Sequence, residues 1–206
     1  MEKLESRIAL IISYIFHPVF MPLYSLLLLF NLKSFFSFEI VFKARLMLTA
    51  FVFTTTILFP LLIIMMMKRQ GLIRSYRMET KQERIYPYLV IAIFYFLNFN
   101  MFRQLELPEM YVFFALGSAI ILFVVAIVNL WWKISTHMIG VGGVFGLIAG
   151  ISLRMSMDMT FPLMAAILLA GIIGYARLKL NAHKPVQVYT GFLAGVGIMI
   201  CVFLFL

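Results

Sequence analysis

Long apolar runs alternate with short polar segments along the whole chain. Several of these runs approach or exceed the roughly 20 residues that a helix needs to cross a hydrocarbon core of about 30 Å. The pattern predicts an all-α, polytopic integral membrane helix bundle with six or seven transmembrane helices. The first run leaves that number open, because His17, Pro18 and Pro22 interrupt it and favour a kinked or re-entrant segment. The predicted spans are residues 8–32, 46–67, 86–101, 110–132, 138–153, 161–175 and 186–206.

Composition supports this class and limits the domain organisation. Hydrophobic residues make up 64% of the 206 residues and charged residues 12%, against roughly 45–50% and about 25% in a soluble domain. Since the spans use nearly the whole chain, we expect a single membrane-embedded domain over residues 1–206. Cys201 is the one cysteine, so the chain has no internal disulfide and no cysteine cluster for a metal.

Three polar clusters lie between the apolar runs, at residues 68–87, 132–137 and 176–183. Two apolar runs separate each cluster from the next, so each pair of spans forms a hairpin that returns the chain to the face it left. The three clusters are therefore expected to meet on one side of the bilayer.

Almost every ionisable side chain that these clusters offer to a shared pocket is cationic or an imidazole. An arginine guanidinium can donate two parallel hydrogen bonds to two phosphate oxygens, and a hydroxyl group adds a further donor. An imidazole titrates near neutral pH and can act as nucleophile, acid or base. The clusters predict a pocket for a phosphate-like anion, formed by Arg77, Lys81, Arg84, Lys133, Ser135, His137, Arg177, Lys179, His183 and Lys184.

The third cluster carries its own geometric prediction. Arg177 and His183 are six residues apart, so one continuous helix would point them to different faces. A break near Asn181 would turn both to one pocket, and Pro185 suits the first turn of the last helix. Gln187, four residues after His183, then lies on the same side and is predicted to hold the imidazole through one ring nitrogen.

In order and spacing the clusters resemble the motifs of the type 2 phosphatidic acid phosphatase superfamily, which are integral membrane lipid phosphate phosphatases. The first motif of that family is lysine, six residues, then arginine-proline. Arg77 and Arg84 have its spacing, with arginine in place of lysine and isoleucine in place of proline. Lys81 is the alternative basic residue, at a different spacing.

The second and third motifs of the family are proline-serine-glycine-histidine, and serine-arginine, five residues, histidine, three residues, aspartate. Ser135 and His137 match the second, with isoleucine and threonine in place of proline and glycine. Arg177 and His183 match the third, with alanine in place of serine and Gln187 in place of aspartate. A phosphatase-like core over about residues 68–206 is thereby implied.

The resemblance implies a role for each matched residue. His183 looks like the nucleophile that forms a phosphohistidine, and His137 like the general acid that protonates the leaving alkoxide. Gln187 would orient His183, although a neutral amide stabilises an imidazolium less than the family's aspartate does. The implied phosphate cradle consists of Arg84, Arg177 and Ser135, together with Arg77 or Lys81.

The acidic residues exclude one class of membrane enzyme. Prenyltransferases and alcohol phosphotransferases hold magnesium with paired aspartates, because a hard cation needs several oxygen ligands. Asp158 is the single aspartate of the chain. The sequence therefore favours metal-independent hydrolysis of a lipid phosphomonoester or pyrophosphate, without a cofactor.

Two further functions are compatible with the sequence. The replacement of aspartate by Gln187 favours an inactive homologue that binds a lipid headgroup or a membrane protein partner. A transporter is less expected, because its site would lie near the bilayer midplane. The expected partner is a phospholipid or polyprenyl phosphate, not a nucleic acid. The expected location is a bacterial plasma (inner) membrane, and the oligomeric state stays open.

Gly142, Gly146 and Gly150 repeat every four residues in the fifth apolar run. Small residues at this spacing let two helix backbones approach closely. We therefore predict that this face packs tightly against a neighbouring helix.

Overall fold

The computed structural model describes residues 2–32, 40–76 and 81–206, and of residues 81 and 82 it describes the backbone only. Within these ranges the chain is helical and contains no β-strand, which confirms the predicted all-α class. The α-helices are α1 (Glu2–Ile15), α2 (Met21–Asn31), α3 (Phe42–Phe53), α4 (Phe59–Arg69), α5 (Lys81–Gln104), α6 (Glu109–Val128), α7 (Thr136–Met155), α8 (Thr160–Lys179) and α9 (Pro185–Phe205).

Seven helical segments of the described residues are long and apolar enough to cross a membrane. Two of these segments are composite. The first joins α1 and α2 through a 3₁₀ turn at Pro18–Phe20, and the second joins α3 and α4 through a π-helical turn at Thr54–Leu58. The remaining five correspond to α5 through α9. The chain is an integral membrane protein, and seven spans lie within the predicted six or seven.

The described residues form two compact units. The terminal unit combines the chain up to Met21 with Lys133 to Leu206, and thus contains α1, α7, α8 and α9. The middle unit runs from Pro22 to Trp132. The terminal unit contains the second and third polar clusters, and the middle unit contains the first.

The first apolar run breaks between α1 and α2, where the sequence predicted a kink. Pro18 lacks a backbone N–H and cannot continue the hydrogen bonding of α1. The His17 amide donates to the Tyr14 carbonyl at 3.3 Å, in a tightened last turn. His17 Nδ1 in turn accepts from the Val19 amide at 3.4 Å.

Close backbone contact between α7 and α9 organises the terminal unit. The predicted small-residue face of α7 packs against α9: a Cβ on Gly146 would lie only 2.7 Å from the Val196 carbonyl oxygen. A Cβ on Gly142 would likewise collide with the Phe192 carbonyl oxygen. The tight packing predicted from the glycine spacing is confirmed, and its partner is α9.

The loops at the two ends of α8 connect it to α7 and to α9. Asn181 adopts a left-handed backbone with φ +50°, which ends α8 and confirms the predicted break; asparagine tolerates this conformation better than most residues. At the other end of α8, Asp158 accepts from the Thr160 backbone N–H at 2.9 Å. Hydrogen bonds from Thr160 hold the pKa of the Asp158 carboxyl below its usual value.

The middle unit is held by polar bonds between its helices. Thr55, in the π-helical turn, donates to the Asn98 side-chain oxygen of α5 at 2.9 Å. Glu83, which is 8% exposed, accepts from the Arg74 backbone amide at 2.9 Å. That bond ties the loop after α4 to the start of α5.

Candidate functional site: a cationic cleft at His183

The loop between α8 and α9 presents His183 in a defined orientation. Gln187 Oε1 lies 3.3 Å from His183 Nδ1 and also accepts from the Lys184 backbone N–H at 3.0 Å. The contact predicted from the four-residue spacing is present. Because an amide oxygen only accepts, Nδ1 carries the proton of a neutral His183 ring and Nε2 carries the lone pair.

The side-chain oxygen of Gln187 therefore makes two contacts with different roles. It caps the first turn of α9, which begins at Pro185 as predicted. It also holds the ring of His183. The same amide thus couples the start of a transmembrane helix to the orientation of the imidazole.

His183 lies in an open cleft of about 610 Å³. The cleft also contains two lysines, Lys133 and Lys184, and the amide side chains of Asn181 and Gln187. Two ammonium groups beside an imidazole favour an anionic ligand, and the N-terminus of α9 adds its positive end.

The second cluster joins the third at the start of α7. The Ser135 backbone N–H donates to the Gln187 carbonyl at 3.4 Å. Ser135 is fully buried and His137 is 7% exposed. Arg177 and His183 both lie close enough to His137 to act electrostatically on its ring. The structure thus brings two of the three predicted clusters to one end of the terminal unit.

Ser13 of α1 connects two of these side chains. His137 Nε2–H donates to the Ser13 carbonyl at 3.1 Å, and Arg177 Nη1 donates to the Ser13 hydroxyl at 3.2 Å. Ser13 was not among the predicted site residues. A polar residue that interrupts an apolar run shortly before Pro18 was the available signal.

Three buried polar atoms of predicted site residues have no hydrogen-bond partner within the described part of the chain. They are Ser135 Oγ, His137 Nδ1 and Arg177 Nε. The fourth atom of this kind there, the Tyr111 hydroxyl, belongs to the middle unit. Since buried polar groups are nearly always hydrogen-bonded, unpaired polar atoms at and near His137 suit a polar ligand.

His17 adds a second ring beside His137. Their ring centroids are 5.3 Å apart, and the rings meet edge to face. Lys179, a member of the predicted cationic set, forms an ion pair with Glu5 of α1. The first contact places the residue before the 3₁₀ turn against His137, and the second links α1 to α8.

The first cluster belongs to the middle unit. Arg84 is 8% exposed, and its Nη1 donates to Asn129 Oδ1 at 3.2 Å. Arg77 lies outside the described residues, as does the side chain of Lys81, the first residue of α5. Phosphate binding by these three residues stays a prediction.

The described residues contain no group of three or more histidine, cysteine, aspartate or glutamate side chains that could hold a metal ion. Compared with protein-family models, with curated proteins and with solved structures, the chain matches none of them significantly.

Proposed function

We propose that this chain is a metal-independent phosphatase that hydrolyses a phosphomonoester or pyrophosphate of a membrane lipid. Phosphatidic acid, phosphatidylglycerophosphate and polyprenyl pyrophosphate are the candidate substrates, and a bacterial plasma (inner) membrane is the proposed location. The observation that carries the proposal is the hold of Gln187 on His183 Nδ1 inside a cleft with Lys133 and Lys184. An oriented imidazole beside two ammonium groups is a candidate nucleophile toward a phosphate.

The proposed reaction has two steps. His183 Nε2 attacks phosphorus, and the bond from phosphorus to the leaving oxygen breaks while protonated His137 gives that oxygen a proton. Water then attacks the phosphohistidine with neutral His137 as the base, which breaks the P–N bond and releases inorganic phosphate. Arg177 and Ser135 stabilise the negative charge on the phosphoryl oxygens in both steps.

Trapping the intermediate tests this proposal. We expect purified protein, mixed with a lipid phosphate in the presence of chelator and quenched in alkali, to carry a phosphoryl group on His183. Phosphohistidine survives alkali but not acid, so an acid quench of the same sample is the matched control. Phosphate release without label on His183 would contradict the mechanism.

A second candidate function is anion recognition without turnover. The neutral Gln187 favours it, because an amide that already caps α9 adds no charge to activate His183. In that case the protein binds a phospholipid headgroup and releases no phosphate from any lipid offered.

Replacing Gln187 with glutamate is predicted to raise the rate of phosphate release. Gln187→Glu keeps the length and the acceptor of the cap and adds a charge beside His183, so phosphate release should rise roughly threefold to tenfold. The carboxylate also stabilises the imidazolium, which cannot attack. The acid limb of the pH–rate profile should therefore move to higher pH.

Gln187→Ala serves as the opposite control. It removes the hold on His183 together with the cap, and should slow release roughly tenfold while lowering stability by about 1 kcal/mol. Rates measured from pH 5 to 9 check both variants. A glutamate variant that is slower than the alanine variant would disprove the orienting role.

A further inference from the structure

We propose that α1 completes the site and that Ser13 is its positioning residue, which holds Arg177 with its hydroxyl and His137 with its carbonyl. The phosphate class of the ligand rests on the function proposed above. Ser13 lies 124 residues from His137 and 164 from Arg177 in sequence. Ser13, the α1 residue in both contacts, belongs to none of the three motifs.

The broken end of α1 makes the Ser13 carbonyl available. In an uninterrupted helix it would accept from the amide four residues later, that of His17. Because Pro18 ends the helix, the His17 amide donates to Tyr14 instead. The Ser13 carbonyl accepts from His137 Nε2–H at 3.1 Å, which satisfies one of the orphan carbonyls of a helix C-terminus.

The hydrogen bond to Ser13 determines which nitrogen of His137 can exchange a proton with the substrate. A carbonyl oxygen only accepts, so Nε2 keeps its proton whether the ring is neutral or doubly protonated. Proton exchange with the leaving oxygen falls to Nδ1, the buried nitrogen that has no partner among the described residues.

The hydroxyl of Ser13 fixes the guanidinium of Arg177. Ser13 is 7% exposed, and its Oγ accepts from Nη1 at 3.2 Å. Arg177 Nε is buried without a partner within the described residues, and we assign its N–H to a phosphate oxygen. The Glu5–Lys179 ion pair links the same two helices nearer the start of α1. Helices α1 and α8 are thus joined by two contacts, and the contact between Ser13 and Arg177 is the one at the proposed site.

Binding of inorganic phosphate, measured by calorimetry beside lipid phosphate turnover, tests the role of Ser13. Ser13→Ala removes the hydroxyl and keeps the carbonyl, so it should weaken phosphate binding and raise KM about tenfold. The basic limb of the pH–rate profile, set by His137, should not move. Ser13→Thr retains the hydroxyl and should restore binding. Ser25→Ala, a change at a serine of α2 that is 4% exposed, is the matched control.

The outcomes separate the two proposals. Phosphate binding that weakens in Ser13→Ala, in a protein that releases no phosphate from lipids, would support Ser13 and refute the phosphatase. Normal binding and turnover in Ser13→Ala would overturn the role of Ser13 alone. A wild-type protein that neither binds phosphate nor releases it would overturn both. Thermal unfolding of each variant shows that binding is compared between folded proteins.

Discussion

Replacing His183 with alanine is expected to reduce phosphate release from lipid phosphates by roughly a thousandfold or more, because it removes the proposed nucleophile. The loop should still fold, since Gln187 continues to accept from the Lys184 amide and to cap α9. The loss should therefore appear in kcat, with little change in the temperature of unfolding. Release is measured with chelator present, so that a contaminating metal-dependent phosphatase does not contribute.

Two comparisons make this result specific. Added imidazole should restore part of the activity of His183→Ala, because a free imidazole fits the space of the lost ring. Gly197→Ala serves as the active control, since a Cβ at Gly197 meets no atom within 4 Å. If His183→Ala releases phosphate as fast as the wild type, His183 is not the nucleophile.

The second large effect is expected at the contact of α7 with α9. A Cβ on Gly195 would lie 2.7 Å from the Gly143 backbone nitrogen and would also collide with the Ile139 carbonyl oxygen. Backbone atoms cannot rotate away as a side chain does, so Gly195→Ala must push the helices apart. We expect a loss of at least about 3 kcal/mol of stability, at the upper end of overpacking effects.

The site should be lost together with this contact. Gly191, one turn before Gly195, lies where a Cβ would come within 2.9 Å of the Ser135 carbonyl oxygen. Displacing α9 therefore moves Gln187 and His183 away from Ser135. Thermal unfolding and phosphate release in detergent check the prediction. Gly197→Ala on the same helix should be as stable as the wild type, and equal tolerance of both changes would refute the packing.

Much of the third cluster followed from local rules. The six-residue spacing of Arg177 and His183 led to the prediction of a break, and Asn181 is a residue that tolerates the left-handed backbone found there. Pro185 begins α9, as the fixed φ of proline favours. Spacing alone also placed Gln187 against His183. These features depend on a few neighbouring residues, so the sequence contains the information.

No local sequence rule predicts the contacts of α1 with His137 and Arg177. Nothing near Ser13 indicates that its carbonyl would accept from His137 or that its hydroxyl would accept from Arg177. The sequence did predict that the second and third clusters would share one end, because a hairpin joins them. It did not predict that the N-terminal helix would contact both of them.

The sequence by itself determined the membrane class, the kink near Pro18, the break at Asn181 and the close packing along Gly142, Gly146 and Gly150. Tertiary structure alone decided that this glycine face meets α9 and that α1 contributes Ser13 beside His137. The physical reason is that helix ends and hydropathy are set by short-range sequence. Partner choice among apolar helices in lipid depends instead on how side chains interlock and on which buried polar groups find each other.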